Sequence, residues 1–338
     1  MTIVKIIVDG FGGDNAPLSV LKGSEMAVKE YGVEIIVTGD EEKLNAVAKE
    51  NGVSLDGITF VNAPDVITMD DDPFAIMKEK SECSMAKAFT LLKDGEGEAF
   101  VSAGSTGAIV IGANFIVKRI KGIKRAALAT VVPTLKGCYM LMDSGANLDC
   151  KPETLTSFGI MGSIYMNKII GIESPRVGLV NVGTEDTKGG DLQKGAFALL
   201  KEAPVNFIGN IEARDIPAGV ADVAVADGFT GNVILKLTEG LASMFSKKIK
   251  GMFSEGILGK LSAIMMLKKI KAFKKSMDYT EYGGAPLLGV RKPVIKAHGS
   301  SNPKAFKNAI GQAIKFSNQG LIPEIEKAMA EIKQTDEE

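Results

Sequence analysis

The sequence has few of the residues on which many catalytic and structural sites depend. It contains one histidine, His298, and three cysteines, Cys83, Cys138 and Cys150, with no CxxC spacing among them. One histidine excludes a site built on two imidazoles, and the cysteine pattern argues against a disulfide framework or a thiolate zinc site. A Ser-His-Asp triad would need His298, but no GxSxG motif accompanies it.

Long apolar runs and a large net charge are also absent. No run approaches the roughly 18 residues of a spanning helix. The start, MTIVKIIVDG, is typical of a first strand and unlike a secretion signal. The formal net charge of −1 argues against nucleic acid as a partner of the whole chain. We therefore expect a cytoplasmic protein, with peripheral contact to the inner face of the cell membrane left open.

Strand-like and helix-like segments alternate over most of the 338 residues. This rhythm predicts an α/β fold with a doubly wound, mostly parallel sheet in one domain over 1–338. The strand-like segments are apolar and rich in β-branched residues; they include 2–10, 33–40, 58–64, 99–103, 176–182 and 205–208. Helical spacing is found in 17–32, 41–52, 73–94, 153–168, 190–202 and 231–250. The less regular stretch 125–150 predicts an antiparallel hairpin.

One basic segment interrupts the alternation near the C-terminal third. Residues 251–277 place apolar side chains such as Leu258 and Ile264 at helical spacing among six lysines. This pattern predicts a basic amphipathic helical subregion over 245–278. It would either pack its apolar side on the core or a second subunit, or bind an acidic protein or an anionic lipid surface.

Three apolar, strand-like runs each lead into a glycine-rich loop. The three segments, each with its strand and its loop, are AFVSAGSTGA at 99–108, VGLVNVGTEDTKGG at 177–190 and VADVAVADGFTGN at 220–232. Small residues let a backbone approach a ligand, and a helix start presents unpaired N–H groups to an anion. In a doubly wound sheet such loops gather at one edge. The three loops together therefore predict an enzyme that handles phosphate at that edge.

The candidate site residues are polar, charged or glycine, and they lie at the ends of predicted strands or in the segments that follow them. They are Asp9, Gly12, Gly13, Ser102, Gly104, Ser105, Thr106, Gly107, Asp143, Asn147, Lys151, Gly183, Thr184, Glu185, Lys188, Asn210, Glu212, Arg214, Asp227, Thr230, Gly231, Asn232 and His298. Cations and amide donors suit phosphate and a developing oxyanion. Each residue taken alone could instead be a helix cap, a turn or a surface charge, so the clustering carries the prediction.

The first loop, DGFGGDNAP at 9–17, nearly matches a dinucleotide-binding fingerprint. Gly10 and Gly12 would require glycine at position 15, where the chain has Asn15. This mismatch disfavours a nicotinamide enzyme. We predict no organic cofactor and no metal.

An ordered set of motifs carries a resemblance to a known family. The motifs are GGDNAP at 12–17, SAGSTGA at 102–108, DSGANLDCKPE at 143–153, GTEDTKGG at 183–190, NFIGNIEARDIP at 206–217, DGFTGN at 227–232, YGGAPLLGV at 282–290 and KAHGSS at 296–301. In this order they resemble the bacterial fatty acyl-acyl carrier protein:phosphate acyltransferases. The resemblance implies a three-layer α/β/α, Rossmann-like fold related to phosphotransacetylases and to isocitrate dehydrogenase-like enzymes.

The resemblance also implies a homodimer that transfers an acyl group from acyl carrier protein to inorganic phosphate. The acyl phosphate product would supply glycerol-3-phosphate acyltransferase in phospholipid synthesis. Phosphate would be the nucleophile, which fits a chain without a triad. Lys188 is our first choice for the cation that stabilises the oxyanion, with Asn232 and His298 as supporting donors. The basic segment would lie at the dimer interface and touch the membrane.

Three alternatives remain open at this point. A coenzyme A-dependent phosphate acyltransferase would share the chemistry and differ in the thioester carrier. A non-catalytic lipid or phosphate sensor would use the same loops for binding alone. A metal-dependent decarboxylating dehydrogenase on a related fold would need nicotinamide, and the mismatched fingerprint counts against it.

Overall fold

The computed structural model describes residues 3–254, 262, 265–269 and 282–335. Eleven strands in this part of the chain form one sheet. The strands are β1 (Lys5–Asp9), β2 (Glu34–Gly39), β3 (Ile58–Asn62), β4 (Ala99–Ser102), β5 (Ala127–Thr134), β6 (Gly137–Met142), β7 (Arg176–Asn181), β8 (Asn206–Glu212), β9 (Val223–Val225), β10 (Ala285–Leu288) and β11 (Val294–Lys296).

Helices cover both faces of this sheet. They are α1 (Leu18–Tyr31), α2 (Glu41–Asn51), α3 (Ser84–Asp94), α4 (Thr106–Gly112), α5 (Pro152–Tyr165), α6 (Asp191–Glu202), α7 (Gly228–Ser254), α8 (Pro303–Asn318) and α9 (Leu321–Thr335). Alternate side chains of a strand enter different cores: Ile6 and Val8 pack on one face, whereas Ile7 packs on the other. The α/β class and the helix-covered, mostly parallel sheet are therefore confirmed.

The strand order is β3-β2-β1-β4-β11-β10-β5-β6-β9-β7-β8. The first five strands are parallel to one another, and so are the last four. Within the described residues, three antiparallel pairings separate the two sets: β11 with β10, β10 with β5, and β5 with β6. An odd number of reversals makes the two parallel sets run in opposite directions.

This topology corrects the expectation that all candidate loops gather at one edge. The carboxyl ends of β1, β4 and β11 lie at one edge of the sheet, and those of β6, β9 and β7 lie at the opposite edge. The predicted hairpin at 125–150 is confirmed as β5 and β6, which pair from Ala129–Met142 to Thr134–Gly137. That hairpin and β10 produce the reversal.

Several predicted element boundaries also differ from the structure. The single helix expected over 73–94 is a short 3₁₀ turn, Pro73–Met77, followed by the separate helix α3. Asp72 caps the turn, and the Cys83 sulfur accepts a hydrogen bond from the Ala86 N–H at the start of α3. These two caps divide the segment in two. The strand expected at 205–208 continues to Glu212 as β8.

The helix expected over 231–250 begins at Gly228 and continues through Ser254 as α7. Most of the basic segment that follows, including Leu258 and Ile264, lies outside the described residues. Of its apolar side chains, Met265, Met266 and Leu267 are described, and all three are exposed. None of the helices in the described ranges combines the length and the apolar character that a bilayer span requires.

Candidate active site

A cavity of about 330 Å³ lies between α7 and the antiparallel centre of the sheet. Both parallel sets contribute to its walls. Thr106 at the start of α4 and His298 after β11 come from the first set, and Ser144 and Gly145 after β6 come from the second. Helix α7 contributes one face through Asn232, Leu235, Lys236 and Glu239. The candidate site is therefore a cleft over the centre of the sheet rather than a row of loops along one edge.

Three of the predicted site residues, Thr106, Asn232 and His298, line this cavity. Asn232 lies on the first turns of α7 and packs beside the loop after β6. A Cβ added to Gly145 would lie in ordinary van der Waals contact with Asn232, 3.5 Å from its Oδ1 atom, so the two segments are neighbours. The positive φ of 135° at Gly145, rather than lack of space, favours glycine there. The geometry brings together the DSGANL and DGFTGN motifs, which begin 84 positions apart in the sequence, at Asp143 and Asp227.

His298 is held in one tautomer by its own loop. The Ser300 backbone N–H donates to His298 Nδ1 over 3.2 Å, and the Ser300 hydroxyl lies 2.9 Å from the same nitrogen. Because Nδ1 accepts the backbone hydrogen bond, the proton of the neutral ring is assigned to Nε2. Burial lowers the pKa of His298, and the nearby positive charge of Lys296 lowers it further. The imidazole is therefore a neutral N–H donor at physiological pH.

Two lysines that the sequence reasoning did not single out also line the cavity. Lys296 is the last residue of β11, and Lys236 lies one helical turn after Asn232 on α7. Lys236 Nζ is 2.8 Å from Glu239 Oε2. The spacing of positions 232, 236 and 239 places them on one helix face, which is the signal that the sequence carried. Lys296 belonged to the KAHGSS motif but had no apparent role there.

The loops of the first parallel set are organised around the buried carboxylate of Asp9. Its two oxygens accept hydrogen bonds from the hydroxyls of Ser84, at 2.7 Å, and Ser102, at 2.8 Å. The Ser102 oxygen accepts the Gly104 N–H at 2.9 Å. A Cβ at Gly12 would come within 2.6 Å of Asp9 Oδ2, so only glycine fits between these loops. Asp9 positions the loop that leads to Thr106.

Other predicted residues of this set have local structural roles. The Ser105 side chain caps α4 by accepting the Ala108 N–H. Gly107 lies against Pro73, whose Cγ would be 2.6 Å from an added Cβ. Gly13, with a positive φ of 101°, lies beside Ala103 and Gly299. The three loops after β1, β4 and β11 are thus packed on one another.

The loop after β6 is organised by Asp143, which is fully buried. Its carboxylate accepts hydrogen bonds from the backbone N–H groups of Leu128, Gly145, Ala146 and Asn147 and from the Asn147 side chain. Asp227 caps α7 through the Thr230 N–H, at 2.9 Å, and the Thr230 hydroxyl, at 2.7 Å. Gly231 lies directly against the Asp143 carbonyl. These contacts hold the start of α7 over the cavity.

Lys188 and its neighbours form a separate, exposed loop group beyond β9. Lys188 lies outside the cavity lining, its side chain is 48% exposed, and its Nζ is 3.9 Å from Glu185 Oε1. Asn210 Nδ2 donates to the Glu185 carbonyl at 2.9 Å, which ties the loop after β7 to β8. The remaining predicted residues here are Lys151, Thr184, Glu212 and Arg214, which are exposed or half-buried, and the buried Gly183.

Comparison with known proteins agrees with this architecture. A family model described as fatty acid synthesis protein matches residues 4–324. The chain is 46% identical over 329 residues to a phosphate acyltransferase of Alkaliphilus oremlandii, covering 97% of this chain and 98% of that protein. It is 45% identical over 328 residues to a phosphate acyltransferase of Clostridium acetobutylicum, covering 97% and 99%.

Solved structures with a similar fold include two phosphotransacetylases. The EutD phosphotransacetylase from Staphylococcus aureus superposes with a TM-score of 0.64 at 16% identity, covering 93% of this chain and 94% of the other. A phosphotransacetylase from Streptococcus pyogenes gives a TM-score of 0.63 at 19% identity with the same coverage. At these identities the likeness concerns the fold alone. The sequence matches show that the chain belongs to the fatty acid synthesis protein family, and the two relatives named above are phosphate acyltransferases.

Proposed function

We propose that this enzyme transfers a fatty acyl group from acyl-acyl carrier protein to inorganic phosphate and releases acyl phosphate. The observation that carries the proposal is a cavity in which two lysines, Lys236 and Lys296, meet the N–H donors of Asn232 and His298. Cations and neutral donors suit both a phosphate dianion and the oxyanion of a tetrahedral intermediate.

In the proposed step, a phosphate oxygen attacks the carbonyl carbon of the thioester. The carbonyl oxygen becomes an oxyanion, the carbon–sulfur bond then breaks, and the carrier leaves as a thiolate that takes up a proton. No covalent enzyme intermediate is needed. Two hydroxyls that line the cavity support this route: Ser144 donates to the Leu128 carbonyl and lies 2.8 Å from the Thr130 hydroxyl. Neither hydroxyl is paired with a general base.

The decisive assay supplies a defined acyl-acyl carrier protein and phosphate to the purified chain. Hydroxylamine trapping quantifies acyl phosphate, and a thiol reagent quantifies the released carrier. We expect equal amounts of both products over many turnovers, and neither product without phosphate. Binding of phosphate or lipid without turnover would instead support the sensor alternative. Faster turnover with acyl-coenzyme A than with the carrier substrate would favour the coenzyme A-dependent alternative.

Lys188 is proposed as the cation that stabilises the oxyanion on the carrier side of the site. Its exposed position and its loose pairing with Glu185 leave the ammonium able to turn toward a bound thioester. Replacing Lys188 by Ala should lower kcat roughly 100-fold, as for the loss of one oxyanion donor. The melting temperature should change little, because the side chain is exposed. A Lys194→Ala variant on α6 is the matched control, and unchanged turnover in Lys188→Ala would refute this role.

A homodimer is proposed on the basis of an exposed apolar row along α7. The row consists of Phe229, Val233, Leu237, Leu241 and Phe245, spaced by four residues and all exposed in the single chain. A helix face of this kind is typical of a surface that packs against a second copy. Sedimentation should give twice the mass of the 35.7 kDa chain. Leu237→Glu with Leu241→Glu should give the monomer.

Peripheral membrane association and delivery of acyl phosphate to glycerol-3-phosphate acyltransferase complete the proposal. The exposed Met265 and Leu267, beside Lys268 and Lys269, support contact with an anionic leaflet. Flotation with vesicles that contain anionic lipid should recover the protein. Flotation that is undiminished in Leu258→Glu with Ile264→Glu would refute this contact.

A further inference from the structure

The strongest unassigned feature of the molecule is the ammonium of Lys296. The residue is half-buried at the carboxyl end of β11, in register with Ser102 of β4, and its side chain lines the cavity. The described part of the chain offers this ammonium neither a hydrogen bond nor an ion pair. A cation withdrawn from water without a partner is costly, so the cavity favours an anion beside Lys296.

The neighbouring charges make the need for an anion greater. Burial lowers the pKa of Lys296, and the positive charge of Lys236 lowers it further, while Glu239 opposes this effect. Two lysines therefore face the same small volume, and Glu239, the one carboxylate that the described residues place in its lining, is already paired with Lys236 at 2.8 Å. A doubly charged anion would relieve the repulsion between the lysines.

The remaining walls of the cavity select the kind of anion. Asn232 supplies an amide, His298 is neutral and donates through one ring nitrogen, and Thr106 supplies a hydroxyl. Two cations surrounded by neutral donors suit a tetrahedral oxyanion better than a flat carboxylate. The oxygens of a tetrahedral anion point in several directions, so each can meet a different donor. Of the substrates in the proposed reaction, inorganic phosphate is the one with this shape and charge.

We propose that Lys296, with Lys236, binds the phosphate nucleophile, and that Glu239 weakens this binding by competing for Lys236. This inference rests on the proposed function and assigns the phosphate to the centre of the sheet. Lys188, in the loop group beyond β9, would then contact the thioester rather than the phosphate.

Phosphate binding to the whole chain tests the assignment without turnover. Isothermal titration with inorganic phosphate should show binding to the wild type. Lys296→Met, which keeps the length of the apolar stem, should weaken the affinity roughly 10- to 100-fold, as for the loss of a charge-assisted contact. Lys296→Arg should retain part of the affinity. Lys49→Met, on the exposed surface of α2, is the control and should bind as the wild type does.

Two variants on α7 give opposite predictions and keep the test decisive if Lys296→Met fails to fold. Lys236→Met alters an exposed helix position and should weaken phosphate binding, whereas Glu239→Gln should strengthen it several-fold. In the turnover assay, Lys296→Met should raise the KM for phosphate far more than the KM for acyl-acyl carrier protein.

Unchanged phosphate affinity in both lysine variants would overturn the assignment. So would weaker binding in Glu239→Gln. A wild type that binds phosphate through Lys296 but forms no acyl phosphate would refute the proposed function and leave the phosphate site standing. If the wild type forms acyl phosphate but the lysine variants have a normal KM for phosphate, the proposed function stands and the phosphate site is refuted.

Discussion

A buried carboxylate lies at the carboxyl ends of each of the two parallel strand sets, Asp9 in the first set and Asp143 in the second. Burial raises the pKa of both groups, and their hydrogen bonds oppose that effect. The partners differ in kind. Asp9 accepts from two hydroxyls and from one longer N–H bond, that of Phe11 at 3.3 Å. All five hydrogen bonds to Asp143 come from N–H groups.

This difference decides whether each loop accepts one protonation state of its carboxylate or both. A hydroxyl can rotate and accept, so Ser84 and Ser102 can serve either protonation state of Asp9. An N–H group can only donate, so the ring of donors around Asp143 requires an ionised carboxylate. The second set therefore depends on one charge, whereas the first set tolerates its loss. An Asp→Asn substitution removes the charge and nearly conserves the shape, so it distinguishes a carboxylate that must be ionised from one that need not be.

The largest expected effect is that of Asp143→Asn. The new amide would direct its own N–H groups at donors and leave buried partners unsatisfied. We expect the free energy of unfolding to fall by about 3–5 kcal/mol. Urea denaturation measures the change. Asp149→Asn, on an exposed part of the same loop, should have almost no effect, and equal effects in the two variants would contradict this interpretation of Asp143.

Gly231→Ala should have the next largest effect, because it forces the start of α7 away from the loop that Asp143 holds. An added Cβ would overlap the Asp143 carbonyl. Relief of such an overlap by backbone movement costs about 1–3 kcal/mol. Gly240→Ala on the same helix is the matched control: no described atom lies within 4 Å of its added Cβ, and it should stabilise the protein by up to about 1 kcal/mol. Thermal unfolding should shift in opposite directions for the two variants.

The smallest expected effect is that of Asp9→Asn, within about 1 kcal/mol at neutral pH, because a lost acceptor is offset by removal of a buried charge. The sign depends on pH. The pKa of Asp9 is raised above 3.8 in the folded state, so its contribution to stability is fully present below 3.8 and is lost as pH rises through the folded-state pKa.

Asp9→Asn has no such loss. Its stability relative to the wild type should therefore improve as the pH of the urea titrations is raised from about 4 to 8. A relative stability that worsens over this range would show that the folded state favours the charged form of Asp9.

Much of the fold could be predicted from local sequence. Runs such as KIIVD and EIIVTG are buried strands, and α2 begins where Asp40 caps the Lys43 N–H, so these elements follow from neighbouring residues. The hairpin at 125–150 was predictable for the same reason. The direction of the second parallel set was not, because it depends on β10, which pairs with β5 across about 160 residues of sequence.

The site shows the same division. Thr106, Asn232 and His298 were predictable from their motifs, because loops after strands and helix starts are recognisable locally. Lys236 and Lys296 were not, because a lysine in the middle of a helix or at the end of a strand is ordinary unless the opposing wall is known. Lys188, the first choice for the cation that stabilises the oxyanion, lies outside the cavity lining.

By itself, the sequence determined the α/β class, the strand and helix succession and a set of glycine-rich loops suited to an anion, because these depend on spacing and on backbone properties of nearby residues. Tertiary structure alone decided that the two parallel sets oppose each other, and that two lysines from distant segments face one cavity. Both outcomes depend on contacts between residues that are far apart in the chain. The free energy of such a contact depends on both partners, so no short segment can predict it.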